Sequence, residues 1–88
     1  MRQTGSRRSV GGVTVLTAPG VPGTARVTVV AGRRVGGAVE RNRTKRRLRE
    51  AVVRARIRTG VDYIIIGSRE ALEASFEDLL DWVRRAVE

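Results

Sequence analysis

Arg33-Arg34-Val35-Gly36-Gly37-Ala38-Val39-Glu40-Arg41-Asn42-Arg43-Thr44-Lys45-Arg46-Arg47-Leu48-Arg49-Glu50 is the most specific stretch of this sequence. Two basic residues lead into a Gly-Gly pair, where the backbone can turn sharply and be approached closely. From about Ala38 to Arg58 no Gly or Pro interrupts the chain. Leu48, Ala51, Val52 and Ala55 then recur at i, i+3, i+4 and i+7, the stripe that predicts an amphipathic helix. Extended towards the N-terminus, the stripe lands on Thr44 and then Arg41, so the first two turns are expected to have no apolar face to bury. Arg41, Arg43, Lys45, Arg46 and Arg47 instead point around the axis, and in an isolated helix each like-charged i,i+4 pair costs a few tenths of a kcal/mol. An anionic partner would relieve that repulsion. Arg41, Arg43, Arg46 and Arg49 offer planar forks for phosphate, Lys45 adds a point charge, and Asn42 can donate and accept at a base edge or sugar. The positive end of the helix dipole adds to the same potential. A solvated helix face normally mixes signs and backs onto a complete apolar stripe. This stretch does neither in its first two turns, so it reads as a nucleic-acid contact surface that includes Arg33, Arg34 and Arg47.

Upstream, Val13–Leu16 and Arg26–Ala31 are rich in β-branched residues and alternate, with Val27, Val29 and Ala31 on one face. Ala18-Pro19-Gly20-Val21-Pro22-Gly23 between them has turn chemistry and predicts a hairpin. Downstream, Thr59-Gly60 ends the helix, and Asp62–Gly67 is continuously apolar after its first residue, as expected of a central strand covered on both faces. Ser75, with Asp78 three residues on, predicts the N-cap of a last helix in which Phe76, Leu79, Leu80, Val83 and Val87 keep helical spacing. Tyr63 is expected in the core with its hydroxyl at the rim, and Trp82 at the core boundary. The order strand, strand, helix, strand, helix predicts one α+β domain over residues 1–88, a small two-layer sandwich with helices on one side of a sheet.

The chain has 88 residues, 18 Lys+Arg against 9 Asp+Glu, and a formal charge of +9. That charge favours a polyanionic partner, because each cation set against a phosphate releases condensed counterions. It is local: residues 33–58 hold 11 bases and 2 acids, while residues 59–88 hold 3 bases and 7 acids. With no Cys and no His, disulfide frameworks, thiol chemistry and the common zinc sites are excluded. The acidic residues of the C-terminal segment are spaced as a solvated helix face, so no protein-bound metal is expected. Absence of His also argues against a self-contained nuclease, which needs a general base or clustered carboxylates beside the basic surface. No apolar run approaches the ~20 residues of a membrane span, and no secretory segment is evident; a cytoplasmic location is the expectation.

The pattern strand, basic pair, V-G-x-A-V-x-R-N-R-x-K-R-x-x-R-E helix, then D-Y-I-I-I strand resembles the protein subunit of bacterial ribonuclease P, over nearly the whole chain from about Gly5 onward. The resemblance implies a small α/β sandwich with a left-handed β-α-β crossover around the motif helix, against the general right-handed rule. It implies two partners, a large catalytic RNA and the 5′ leader of precursor tRNA, with magnesium bound by the RNA doing the chemistry. Arg41, Asn42, Arg43, Lys45, Arg46 and Arg49 match the motif that packs against that RNA near its active site, and Arg33 and Arg34 match the basic pair before it. Family members hold the leader in a cleft between the sheet and an N-terminal helix. Thr14, Leu16, Thr28 and Val30 are the candidates to line it, although alternation alone does not say which sheet face that is.

Two departures from the family bear on leader binding. Members normally begin with about one more helix, which forms the second cleft wall, and Met1 to Val10 is too short and polar to replace it. A truncated start or reduced leader binding is therefore expected. Aromatic residues common on the cleft are also missing, with Leu16 standing where one is often found, so base stacking worth ~1–3 kcal/mol per contact is expected to be absent. Composition alone fits a structural ribosomal-type RNA-binding protein equally well; the complete motif helix between two strands separates the two readings. A DNA-reading module is disfavoured because the helix is basic on all sides instead of on one reading face.

Overall fold

Val61–Gly67 is a run of β-branched and aromatic residues, and it forms an interior strand with partners on both sides. In the structure, a computed structural model that describes residues 5–88, the elements are β1 (Ser6–Val10), β2 (Val13–Pro19), β3 (Ala25–Ala31), a 3-10 turn (Arg33–Val35), α1 (Ala38–Ala55), β4 (Val61–Gly67), α2 (Arg69–Glu73) and α3 (Phe76–Val87). The sheet order is β1-β2-β4-β3. β4 runs antiparallel to β2 and parallel to β3, so β3, α1 and β4 form a β-α-β unit.

The predicted hairpin is corrected by this order. β2 and β3 do run in opposite directions, but β4 lies between them and pairs with both. The Gly20–Thr24 connection spans the gap, tied to the entry of β4 by Gly20 N–H donating to Gly60 O at 3.0 Å and Gly60 N–H donating to Thr24 O. Physically, the most apolar strand gains two ladders from the interior place, which a β2–β3 hairpin would deny it. The expectation that β4 is covered on both faces is also corrected: Tyr63 and Ile65 are buried, whereas Ile64 is 42% exposed. All three helices lie against the face that carries Val13, Val15, Val29, Tyr63 and Ile65.

Several local expectations hold. Ser75 caps α3, accepting from Asp78 N–H at 3.1 Å. Tyr63 is buried and its hydroxyl accepts from Arg58 N–H at 3.3 Å, at the rim. Trp82 is half-buried and covers the Gly11-Gly12 turn that joins β1 to β2. Gly11 has φ 55, and a Cβ there would collide with the indole ring, so this turn requires glycine on both counts.

Others are corrected. The polar Met1 to Val10 segment, whose residues 1–4 lie outside the described residues, contributes an edge strand from Ser6 onward. Its Arg8 donates to the carbonyls of Arg85 and Glu88, the orphan acceptors at the end of α3. α1 stops at Ala55 instead of Arg58, because Arg56 turns into the left-handed region. Thr44 is fully buried, so the apolar stripe runs one turn further towards the N-terminus than expected. Its methyl packs inward while its hydroxyl donates to Glu40 O at 2.9 Å.

Gly67 permits this close approach. A Cβ there would lie 3.0 Å from both the Thr44 Cγ2 and the Leu48 Cδ1, and 3.2 Å from the Ala71 Cβ. Gly67→Ala is therefore expected to overpack the seat of α1 and cost about 1–3 kcal/mol, read as a lower urea midpoint at unchanged m-value.

Candidate nucleic-acid interface

The buried stripe Thr44, Leu48, Ala51 and Val52 sets the rotation of α1 about its axis. With that stripe against the sheet, Arg41, Asn42, Arg43, Arg46 and Arg49 are exposed and Lys45 is half-buried with its long stem available to carry the charge outward. Among the described residues none of these side chains takes part in an ion pair or a hydrogen bond; the three ion pairs are Glu50–Arg54, Arg69–Glu73 and Asp81–Arg85. Seven guanidinium or ammonium groups, counting Arg33 and Arg34, thus lie on the 3-10 turn and the first two-thirds of α1 without a partner among the described residues. Glu40, the only acid in the first turn of α1, is turned back to accept from Gly37 N–H at 3.1 Å. It caps the helix and leaves the arginines uncompensated. Gly36, at φ 141 and ψ −151, supplies the backbone reversal that lets the 3-10 turn meet the helix.

Arg33 and Arg34 are exposed, on a turn anchored by the fully buried Val35. Arg69 of α2 reinforces that anchor by donating to Val35 O at 2.6 Å while pairing with Glu73 at 3.0 Å. Arg47 differs from the rest of the basic set. It is half-buried, and its guanidinium donates to the carbonyls of Ala71, Leu72 and Ala74 at the end of α2. Those are helix-terminal acceptors that would otherwise lack partners, and a cation there also suits the helix dipole. Arg47 thereby holds α2, and α2 through Arg69 holds the turn that presents Arg33 and Arg34. Arg47→Ala is expected to lower stability by about 1–3 kcal/mol, read as a reduced thermal midpoint before any RNA is added. A midpoint equal to that of the unaltered chain would show that the three carbonyl contacts carry no stability.

Thr14, Leu16, Thr28 and Val30 all lie on the sheet face opposite the helices, in the cross-strand rows Thr14–Ile66–Val30 and Leu16–Ile64–Thr28. Two residues that sequence reasoning assigned to a doubly covered core, Ile64 and Ile66, therefore separate the β2 candidates from those on β3. Arg7 pairs with Leu16 and Arg26 with Asp62, which puts two exposed cations on the same face. Alternation along β3, opposite Val27 and Val29, accounts for Arg26, and the β1–β2 register accounts for Arg7; neither was among the sequence-predicted cleft residues. Tyr63, Phe76 and Trp82, the three aromatic residues of the chain, lie elsewhere: Tyr63 points to the helix side, and Phe76 and Trp82 belong to α3. Among the described residues no three His, Cys, Asp or Glu gather into a metal-holding group, and no helix is long and apolar enough to cross a membrane.

A family model described as Ribonuclease P matches residues 1–88. The chain belongs to the ribonuclease P protein family. The ribonuclease P protein component of Chloroflexus aggregans is 43% identical over 82 residues, covering 90% of this chain and 61% of that protein. That of Bartonella quintana is 44% identical over 69 residues, covering 75% of this chain and 52% of that protein. The chain thus spans 52–61% of the length of these two ribonuclease P relatives. In fold it is similar to the ribonuclease P protein of Thermotoga maritima, with a TM-score of 0.83, 22% identity and coverage of 94% of this chain and 81% of that one. The ribonuclease P protein of Staphylococcus aureus gives a TM-score of 0.77 at 21% identity, covering 93% and 77%. The α+β sandwich expected from the element order is the ribonuclease P protein fold.

Proposed function

We propose that this chain acts as the protein subunit of ribonuclease P, binding the catalytic RNA and assisting removal of the 5′ leader from precursor tRNA. The observation that carries the proposal is the set Arg33, Arg34, Arg41, Arg43, Lys45, Arg46 and Arg49, without ion-pair or hydrogen-bond partners among the described residues and held on the 3-10 turn and α1 by the packing of Thr44, Val35 and Leu48. Guanidinium forks in that arrangement bind phosphate bidentately, and Asn42 among them can read a sugar or base edge. Among the described residues the two acids of the basic block are already engaged: Glu40 caps α1, and Glu50 pairs with Arg54. In this proposal, as the family resemblance implies, hydrolysis is carried out by the RNA and the magnesium it binds, while the protein screens phosphate repulsion and positions the substrate. The helix-free sheet face, apolar at Leu16, Ile64 and Val30 and edged by Arg7 and Arg26, suits an extended leader strand held by backbone charge and side-chain contact without base stacking. A cytoplasmic place of work is part of the proposal.

The test is 5′-leader cleavage of a precursor tRNA by a bacterial ribonuclease P RNA at low magnesium, with and without this protein. Activation is expected, and it should vanish at ~1 M salt, where the Debye length falls to ~3 Å, while RNA alone keeps its activity. A chain that neither binds the RNA nor activates cleavage would refute the proposal.

A further inference from the structure

Arg54, Arg56, Arg58 and Arg84 form a second basic cluster at the opposite end of α1, and the RNA contact proposed above leaves it unused. Arg54, Arg56 and Arg84 line an open groove of about 650 Å³ between the end of α1 and α3, floored in part by Leu80. The groove continues past Arg56 and Arg84 to Arg58, with Glu88 the one acid along it. Arg54 lies 3.2 Å from Glu50, with its guanidinium 5.4 Å from the centroid of the Phe76 ring. The side chains of Arg56, Arg58 and Arg84 are exposed and have no ion pair or hydrogen bond among the described residues.

Arg56 is the informative member. Its φ of 56 and ψ of 66 put it in the left-handed region just after the last turn of α1, where glycine is the low-energy residue. It is the only non-glycine residue at positive φ among the described residues. An arginine at this place gives up backbone stability that glycine would supply, and its side chain gains no polar partner within the described fold in return. That combination points to a task outside the fold.

We propose that this groove is a second phosphate-contact site, which takes the sugar-phosphate backbone of another segment of the same RNA that Arg41–Arg49 bind; it rests on the function proposed above. Continuity of the surface selects RNA as the occupant. Arg43 and Arg54 stand at i and i+11, on one exposed line of α1 that leads from the first cluster to the second, with the one acid between them on that line, Glu50, held against Arg54. Arg43 and Arg56 are separated by about 20 Å along the axis, too far for one phosphate but within the span of one folded RNA. Planar guanidinium groups on two elements, with a small apolar floor, suit a ridge of phosphates better than a lipid surface, which would require a broader apolar face.

The test uses the full chain and a bacterial ribonuclease P RNA, comparing the unaltered protein with R56G, the R56G/R84Q double variant and the R41A/R43A double variant. For each, affinity is measured across a salt series, the bound RNA is footprinted with hydroxyl radicals, and the thermal midpoint of the free protein is recorded. R56G/R84Q is expected to lower affinity about tenfold at ~0.15 M salt and to make the salt slope shallower by about 1–2. It should lose backbone protection in one RNA segment while keeping the segment that R41A/R43A loses. R56G alone should weaken binding with a thermal midpoint equal to or above that of the unaltered chain, which separates an effect on RNA binding from an effect on folding. Unchanged affinity, slope and footprint in R56G/R84Q would overturn the second site and leave the proposed function standing. Loss of the same protections as R41A/R43A would overturn it too, since the groove would then have no segment of its own. Failure of the unaltered chain to bind this RNA would overturn both readings.

Discussion

Replacing Arg41 and Arg43 together by alanine is expected to lower affinity for ribonuclease P RNA by at least about 100-fold at ~0.15 M salt. Each exposed guanidinium stands for a charge-assisted contact worth ~1.5–3 kcal/mol when made to phosphate, and every ~1.4 kcal/mol is tenfold in affinity. The salt dependence should weaken in step, by about one unit of slope for each phosphate that is no longer neutralised. Stability should hardly move. Both side chains are exposed and have no partner within the described fold, so the thermal midpoint is expected within ~2 °C of the unaltered chain. Relief of like-charge repulsion on α1 even favours a slight rise. Filter binding across a salt series, beside a thermal melt, checks both halves. Normal affinity in the double variant would remove α1 from the interface.

Leu48→Ala should produce the reverse pattern. Leu48 is fully buried, one turn from Thr44 on the stripe that seats α1 against Val29, Tyr63 and Ile65. Removing its branched end from a close-packed site costs about 2–5 kcal/mol. For a chain of this size total stability is of order 4–13 kcal/mol, so a large part of it is lost. The thermal midpoint should drop by roughly 10–25 °C, visible by circular dichroism without RNA. RNA affinity should fall only as far as the folded fraction does, and it should recover on cooling. A midpoint within ~3 °C of the unaltered chain would mean that α1 does not depend on this side chain.

Contrasting Leu48 with Arg41 and Arg43 shows why the basic run was readable from the sequence. Exposed cations reveal themselves by type and spacing, because nothing in the fold needs to be known to see that they lack compensating acids. Arg47 shows where such reading stops. By sequence it is one more member of the basic run; in the structure its guanidinium serves α2, a helix of five residues with no periodic signal of its own. Thr44 is the converse case. Its hydroxyl made it read as polar, yet a donation to the carbonyl four residues back satisfies that group and frees the methyl to pack.

The types of β2, β3, α1, β4 and α3, the local charge and the chemistry of the motif helix were determined by the sequence itself, because each depends on residue type and near-neighbour spacing; the polar edge strand β1 and the five-residue α2 carry no such signal. Ser75 as a cap, Tyr63 as core and the basic face of α1 all follow from such local physics. The insertion of β4 between β2 and β3, the single covered face of the sheet and the exposure of Ile64 were decided only by the tertiary structure. A strand's partners are chosen by long-range competition for ladder bonds and buried area, and two runs that suit a hairpin carry no signal that a third, more apolar run will displace it. The same holds for the far end of α1. Arg54, Arg56 and Arg58 are basic by sequence, but that Arg84 joins them across a groove, and that Arg56 stands where glycine would be at ease, exists only once α3 has packed beside α1.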